Sequence, residues 1–266
     1  MDLQLRGKRA LVTGSTRGIG AAIAKALAWA GASVVVHGRD REAAKRVVRE
    51  IGSAKGKAFV SLGDLSVDVE AERVAEEAES SMGGVDILVN NAGIYPSRDW
   101  WRAKPEEWAD IYNTNVVSIV RVVHRLAPSM KERGWGRIIN IGSGAALQPS
   151  LAMPDFSATK AATVNLTVSL SRELAGSGVT VNTISPGPIF TEGVEEFYRA
   201  VARERGWALE WSEIERRVME EMLPNSVGRF GRVEEVAALA AFVASPLAGF
   251  INGANLRIDG GTIRTI

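Results

Sequence analysis

Short, nearly continuous apolar runs alternate along this chain with longer stretches in which apolar residues recur every three or four positions. The runs RALVTG (9–14), ASVVVHG (32–38), KAFVSLG (57–63), VDILVNN (85–91), GRIINIG (136–142), VTVNTIS (179–185) and ANLRID (254–259) predict seven strands. Their lack of polar alternation is that of parallel strands covered on both faces. Between them lie amphipathic segments such as 66–82, which sets Val67, Val69, Val74 and Ala78 among acidic residues. The alternation predicts an α/β fold: a doubly wound, seven-stranded parallel sheet flanked by helices. No Pro/Gly/Ser linker divides the chain, so 1–266 is expected to form a single domain. The one departure is 190–228, long and helical where a short connection would suffice. It carries Phe190, Phe197, Tyr198, Trp207, Trp211, Met219, Met222 and Leu223 among many charges. This predicts a helical lid insertion; the alternative is a surface hairpin that buries its own aromatics.

Composition narrows the class. The chain is 46% hydrophobic and 24% charged, as in ordinary globular proteins, and its net charge of +1 offers no global attraction to nucleic acid or anionic membrane. It has no cysteine, which removes disulfides, thiolate catalysis and thiolate metal sites. The start, MDLQLRGKRALVTG, lacks the order of a signal peptide, and no run of about 18 uncharged apolar residues occurs. A cytoplasmic enzyme or binding protein is expected, without a membrane or nucleic-acid partner. The two histidines, His37 at a strand end and His124 in mid-helix, suggest neither a metal centre nor a triad.

The first candidate site follows the first strand. In TGSTRGIG (13–20), Gly14, Gly18 and Gly20 stand where the chain must turn from strand into helix beside a ligand. Without Cβ atoms the backbone can approach a diphosphate, and the helix N-terminus favours its negative charge. Folds that bind NAD usually end the second strand with a carboxylate for the ribose 2′-OH. Here VVVHGRD puts Gly38 in that slot with Arg39 beside it, and Arg17 lies in the glycine turn. Gly38 leaves room, and a guanidinium suits a 2′-phosphate, so NADP (NADPH) is expected over NAD. Asp40 stands two positions late and suits the N-cap of the next helix.

The chain closely resembles the short-chain dehydrogenase/reductase family in its ordinary form of about 250 residues. The resemblance runs through TGSTRGIG, GDL (63–65), NNAG (90–93), Asn115, IINIGS (138–143), the helix at 156–176, NTISPGPIFT (182–191) and RIDGG (257–261). It implies a Rossmann domain and a cofactor site including Gly14, Ser15, Arg17, Gly18, Ile19, Gly20 and Arg39. It implies further that Asp64 and Leu65 contact adenine and that Asn91, Ala92 and Gly93 line the floor beside the ribose. In SPGP, Pro186 and Gly187 lead to Ile189 and Thr191, which resemble the contacts to the nicotinamide carboxamide. Asn115 resembles the holder of a relay water, Ser143 the serine that hydrogen-bonds the substrate oxygen, and Lys160 the grip on the nicotinamide ribose.

The fourth catalytic member departs from the family. Its tyrosine stands thirteen residues after that serine and four before that lysine; both counts lead to position 156, which is Phe156. A free phenol has a pKa of about 10. A lysine four residues on shares its helix face and lowers that value towards the working range. Phe keeps the ring and removes the oxygen. Among other groups, Asp155 points about 100° away on a helix, Tyr95 stands nearer the mouth, and Tyr198 is more remote.

Three functions are open on this sequence. The first is an NADP-dependent carbonyl reductase or alcohol dehydrogenase whose tyrosine was replaced by Phe156, an inactivating change that suits trapping of bound substrate. The second is a natural protein of this fold with altered chemistry, a lyase, an isomerase or a reductase using Tyr95 or water as donor. The third is a non-catalytic NADP-binding protein, for which Ser143 has no use. The substrate is expected to be a medium-sized, partly apolar carbonyl or alcohol, with a 3-oxoacyl thioester as alternative, against Leu147, Met153, Trp100, Trp101 and Phe197. Helices near 104–133 and 156–176 carry apolar residues on more than one face, including Val164, Leu166, Val168 and Leu170. The resemblance makes that a homotetramer contact, with a dimer as fallback.

Overall fold

The computed structural model describes residues 1–264; the last two residues of the expected 1–266 domain lie outside the described residues. All seven expected strands form. They are β1 (Arg9–Val12), β2 (Ser33–Gly38), β3 (Lys57–Leu62), β4 (Ile87–Asn90), β5 (Gly136–Ile141), β6 (Val179–Pro186) and β7 (Asn255–Ile258). They make one sheet in the order β3-β2-β1-β4-β5-β6-β7, with every pair parallel. The order reverses between β1 and β4, and the crevice at the strands' carboxyl ends there is where such sheets bind ligands.

Helices cover both faces. On one side α1 (Gly18–Trp29), α2 (Arg41–Ser53) and α9 (Val233–Val243) bury Ile23, Leu27, Val47, Ile51 and Val236 against β1, β2 and β4. On the other, α3 (Asp68–Met82) and α5 (Ser118–Glu132) bury Val74, Ala78, Val122 and Leu126. Full burial of such side chains contributes about 1.5–3 kcal/mol each, which fixes the strand ends that carry the site. The chain enters α5 from α4 (Pro105–Tyr112) through a five-residue π-turn, Asn113–Val117, with no break in the rod.

The sixth helix, α6 (Pro154–Glu173), reverses the usual amphipathic order. Its buried residues are Asp155, Ser157, Thr159, Lys160, Thr163, Thr167 and Ser171. The hydroxyls of Thr163 and Thr167 donate to the carbonyls four residues back, and that of Ser171 to the carbonyl three back. Thr167 also joins Asn140 and Thr183 on the sheet. The apolar Val164, Leu166, Val168 and Leu170 are only half-buried. Among the described residues, no helix is long and apolar enough to cross a membrane.

The insertion is a helical pair, α7 (Glu192–Glu204) and α8 (Trp211–Glu221). Tyr198, Ile214, Val218 and Phe230 form its own small core, and Phe190, Trp207, Trp211, Met222 and Leu223 pack against it. The aromatics therefore hold the insertion together, as the hairpin alternative has it, while the first turn of α7 faces the central crevice.

Candidate functional site: a dinucleotide cradle beside a phenylalanine

A cavity of about 590 Å³ opens at the carboxyl ends of β1, β2 and β4. Its floor is the glycine turn. Gly14 (φ +61°) and Gly18 (φ +53°) take left-handed conformations that other residues rarely adopt. A Cβ on Gly14 would lie 2.8 Å from Ala92 Cα, and one on Gly20 would lie 2.4 Å from both Asn91 Nδ2 and Gly14 O. Asn91 fastens this packing by donating to the carbonyls of Thr13 and Gly14 at 3.0 and 2.9 Å. Thr13 Oγ1 accepts from the backbone N–H of Asn91 and Ala92, both at 3.0 Å. No side chain caps α1 and no acidic residue stands in its first turn. Its free N–H groups thus face the cavity, as an anion requires.

Most expected cofactor residues meet here. Arg17, Ile19, Arg39, Asp64, Leu65 and Gly93 join the turn glycines, Asn91, Ala92 and Thr191 around the cavity. Ser15 does not line it: its hydroxyl is buried, donating to the Val12 carbonyl at 2.6 Å and accepting the His37 N–H at 3.0 Å. Pro186 ends β6, Gly187 packs on Asp259, and Ile189 is buried beside Gly231, so these three stand behind the cavity. Asp40 caps α2 as expected, accepting from the N–H groups of Glu42 and Ala43 at 2.9 and 3.0 Å. Gly38 differs from its expected part. The space beside it is taken by Thr16, whose Cγ2 would lie 2.5 Å from an added Cβ. A carboxylate side chain is absent here, and one could enter only if Thr16 moved aside. Arg39 reaches Asp64 at 3.4 Å with its own side chain 74% exposed. Two hydrogen bonds from Ser66, then Arg39, hold the Asp64 carboxyl below its usual range.

The second cluster lies where β5, α6 and the π-turn converge. Ser143 follows β5, and its Oγ accepts the Ala145 N–H at 3.1 Å. Lys160 is buried, donates from Nζ to the Ile141 carbonyl at 2.7 Å, and stands 5.5 Å from the centre of the Phe156 ring. Burial pushes its pKa down to about 8. Asn115, in the π-turn, donates to the Ile94 carbonyl at 2.9 Å and to Thr159 Oγ1 at 3.2 Å, and accepts the Ile94 N–H at 2.8 Å. Regular helix would aim it elsewhere; π-turns of this kind recur at functional sites.

Phe156 is half-buried, and the Tyr95 ring meets it edge-on at 6.4 Å between centres. Asp155 is fully buried and turned away: its Oδ2 accepts Arg98 Nε and Nη2 at 2.7 Å, and Oδ1 accepts the Phe156 N–H at 2.8 Å. Arg98 also holds Glu107 Oε1 at 2.7 Å and donates its N–H to the Ala152 carbonyl at 2.8 Å. It thereby clamps the 93–104 loop onto α6.

The residues expected against the substrate are not in the wall of this dinucleotide cavity, which is not the place expected for them. Trp100 packs on Trp108, Trp101 is exposed, and Leu147, Met153 and Phe197 also lie outside its wall. On the insertion's side the wall is Tyr95, Thr191, Glu192, Gly193 and Glu196. Thr16, His37 and Arg98 are the contributors that sequence patterns missed. Only Thr16, inside the glycine turn, carried a signal.

The family model for short chain dehydrogenase matches residues 8–201. Over its whole length, and over 100% of the relative, the chain is 40% identical to the uncharacterized oxidoreductase YvaG of Bacillus subtilis (strain 168). The structure of L-sorbose reductase from Gluconobacter frateurii, complexed with NADPH and L-sorbose, is 32% identical, with a TM-score of 0.94 and 100% of each chain covered. A 3-oxoacyl (acyl-carrier-protein) reductase from Agrobacterium tumefaciens C58 with NADP bound is 38% identical, with a TM-score of 0.87 over 98% of this chain and 96% of that one. Motifs, sheet order and these likenesses agree, and the chain belongs to the short chain dehydrogenase family.

Proposed function

We propose that this protein is an NADP-dependent oxidoreductase of the carbonyl reductase or alcohol dehydrogenase type, in which Phe156 occupies the proton donor's place. The observation that carries the proposal is the pairing of an anion-ready glycine cradle with Ser143 after β5 and a buried Lys160 5.5 Å from the centre of the Phe156 ring. The cradle suits the dinucleotide's diphosphate, Arg17 and Arg39 suit a 2′-phosphate, and Lys160 suits the ribose next to the nicotinamide. When bound, the nicotinamide supplies the hydride for a carbonyl or takes it from an alcohol. Ser143 holds the substrate oxygen by a hydrogen bond, and Asn115 fixes the loop beside Gly93. The proton of reduction has no donor at position 156, so turnover by this chain is expected to be very slow.

A second reading, a donor elsewhere, is favoured by the Tyr95 ring lying against Phe156. Against it, the Tyr95 hydroxyl reaches towards Gly193, 4.0 Å from where a Cβ there would stand. Both NADP-bound likenesses are to reductases, of a sugar and of an acyl thioester. We read the substrate as a small carbonyl compound or alcohol. We read the whole of 1–266 as one cytoplasmic NADP-binding domain.

Titration of NADPH and NADH by fluorescence tests the cofactor. NADPH should bind the stronger, and Arg39→Ala should weaken NADPH by about tenfold while leaving NADH within about twofold. Equal loss for both would remove the 2′-phosphate role. The half-buried apolar row of α6 supports self-association as a homotetramer, or as a dimer. Light scattering at micromolar concentration should show a species larger than a monomer, and a monomer there would sink that part of the reading.

A further inference from the structure

His37 is a buried titratable side chain for which the chemistry above has no use. It is the penultimate residue of β2, is 2% exposed, and lies between the two turns that frame the dinucleotide cavity. Its Nδ1 accepts the backbone N–H of Gly14 at 3.1 Å, and its Nε2 lies 3.1 Å from the Gly63 carbonyl. A backbone N–H can only donate and a carbonyl can only accept. The partners therefore fix a neutral ring with its proton on Nε2. The main chain of His37 is held as firmly: its N–H donates to Ser15 Oγ, and its carbonyl accepts the Ser15 N–H at 2.8 Å.

We propose that His37 is a positioning residue for the cofactor: its ring is a strut between Gly14 and Gly63 that holds the diphosphate turn at the spacing NADPH needs. The proposal rests on the reading of this cavity as an NADP site. Gly14 has no side chain to brace it and sits at φ +61°. Without the ring, its inward N–H loses a buried acceptor and the turn its fixed distance from β3. Gly63 begins the segment that carries Asp64 and Leu65, so the strut also sets the two ends of the cavity against each other.

The ring's surroundings keep it neutral. Burial pushes its pKa down to about 4; the Gly63 carbonyl and Asp64 oppose that shift, while Arg39 and Arg73 add to it. With the folded value below the unfolded one, the stability this gives is complete above about pH 6.5. It is lost as pH falls from there through about 4. A protonated ring would set a second N–H against that of Gly14.

The test uses the full chain with NADPH at pH 7.5, in parallel with thermal unfolding. His37→Leu, which lacks both bonds, should weaken NADPH binding by roughly tenfold. His37→Asn, which offers an oxygen near the place of Nδ1 but does not reach Gly63, should fall between the parent and the Leu variant. A folded Leu variant with parental affinity, or an Asn variant with parental affinity, would overturn the strut even if both melt earlier. Should the Leu variant not fold, proton uptake decides. On urea unfolding at pH 5.5 the parent should take up close to one proton more than the Asn variant. Equal uptake would overturn the proposal. A parent chain that fails to bind NADPH at pH 7.5 would refute the cofactor reading itself, and the strut with it.

Discussion

Phe156→Tyr is expected to raise the rate of NADPH-dependent ketone reduction by about 10²- to 10⁴-fold, the usual worth of a placed general acid. The substitution adds one oxygen to a ring already packed beside Tyr95 and 5.5 Å from the Lys160 ammonium. NADPH affinity should remain within about twofold, because the cradle lies on other elements. Below about pH 8 Lys160 is charged and holds the new phenol's pKa down; above it that help fades. Rates measured over a ketone panel from pH 6 to 9 check both points. A silent Tyr variant that still binds NADPH would refute the assignment of position 156. A Phe chain that already turns over, and is silenced by Tyr95→Phe, would establish the second reading instead.

The second large effect concerns stability. Arg98→Ala should destabilise the fold by about 3 kcal/mol, near the low end for a broken buried pair because Arg98 keeps some exposure. The residue left behind is the cause. Asp155 is fully buried, and its Oδ2 would lose both charged partners while Oδ1 kept only the Phe156 N–H. Replacing both, as Arg98→Met with Asp155→Asn, should recover part of the loss, since no bare charge then remains. Urea unfolding of Arg98→Met, Asp155→Asn and the double gives the coupling. A double variant whose loss equals the sum of the two single losses would show that the pair contributes nothing. The clamp also holds the loop that carries Tyr95, so the Arg98 variant should loosen the mouth of the site.

What could be read from the chain was what repeats or keeps local spacing. The seven apolar runs, the glycine turn and the double count to position 156 all depend on near neighbours. The Asp40 cap was visible for the same reason. The parts that stayed hidden join distant residues. Arg98 and Asp155 meet because the 93–104 loop folds back over α6, and no pattern in either segment shows it. His37 looked like an ordinary strand-end residue until Gly14 and Gly63 closed on its ring. Gly38 suggested open space, which only packing reveals to be filled by Thr16. The aromatics of 190–228 marked a helical pair correctly. Their number could not tell an apolar pocket from the pair's own core, because both bury the same side chains.

The π-turn at Asn113–Val117 holds one residue more than a regular helix of the same span would use. Removing that residue would turn α4 and α5 by about 100° against each other, so that Asn115 on the Ile94 loop and the buried Val122 and Leu126 face of α5 could not both keep their places. The core packing of α5 and the hold on the site therefore share one length of this segment. A chain one residue shorter would have to give up either the core contact of α5 or the grip of Asn115 on the Ile94 loop.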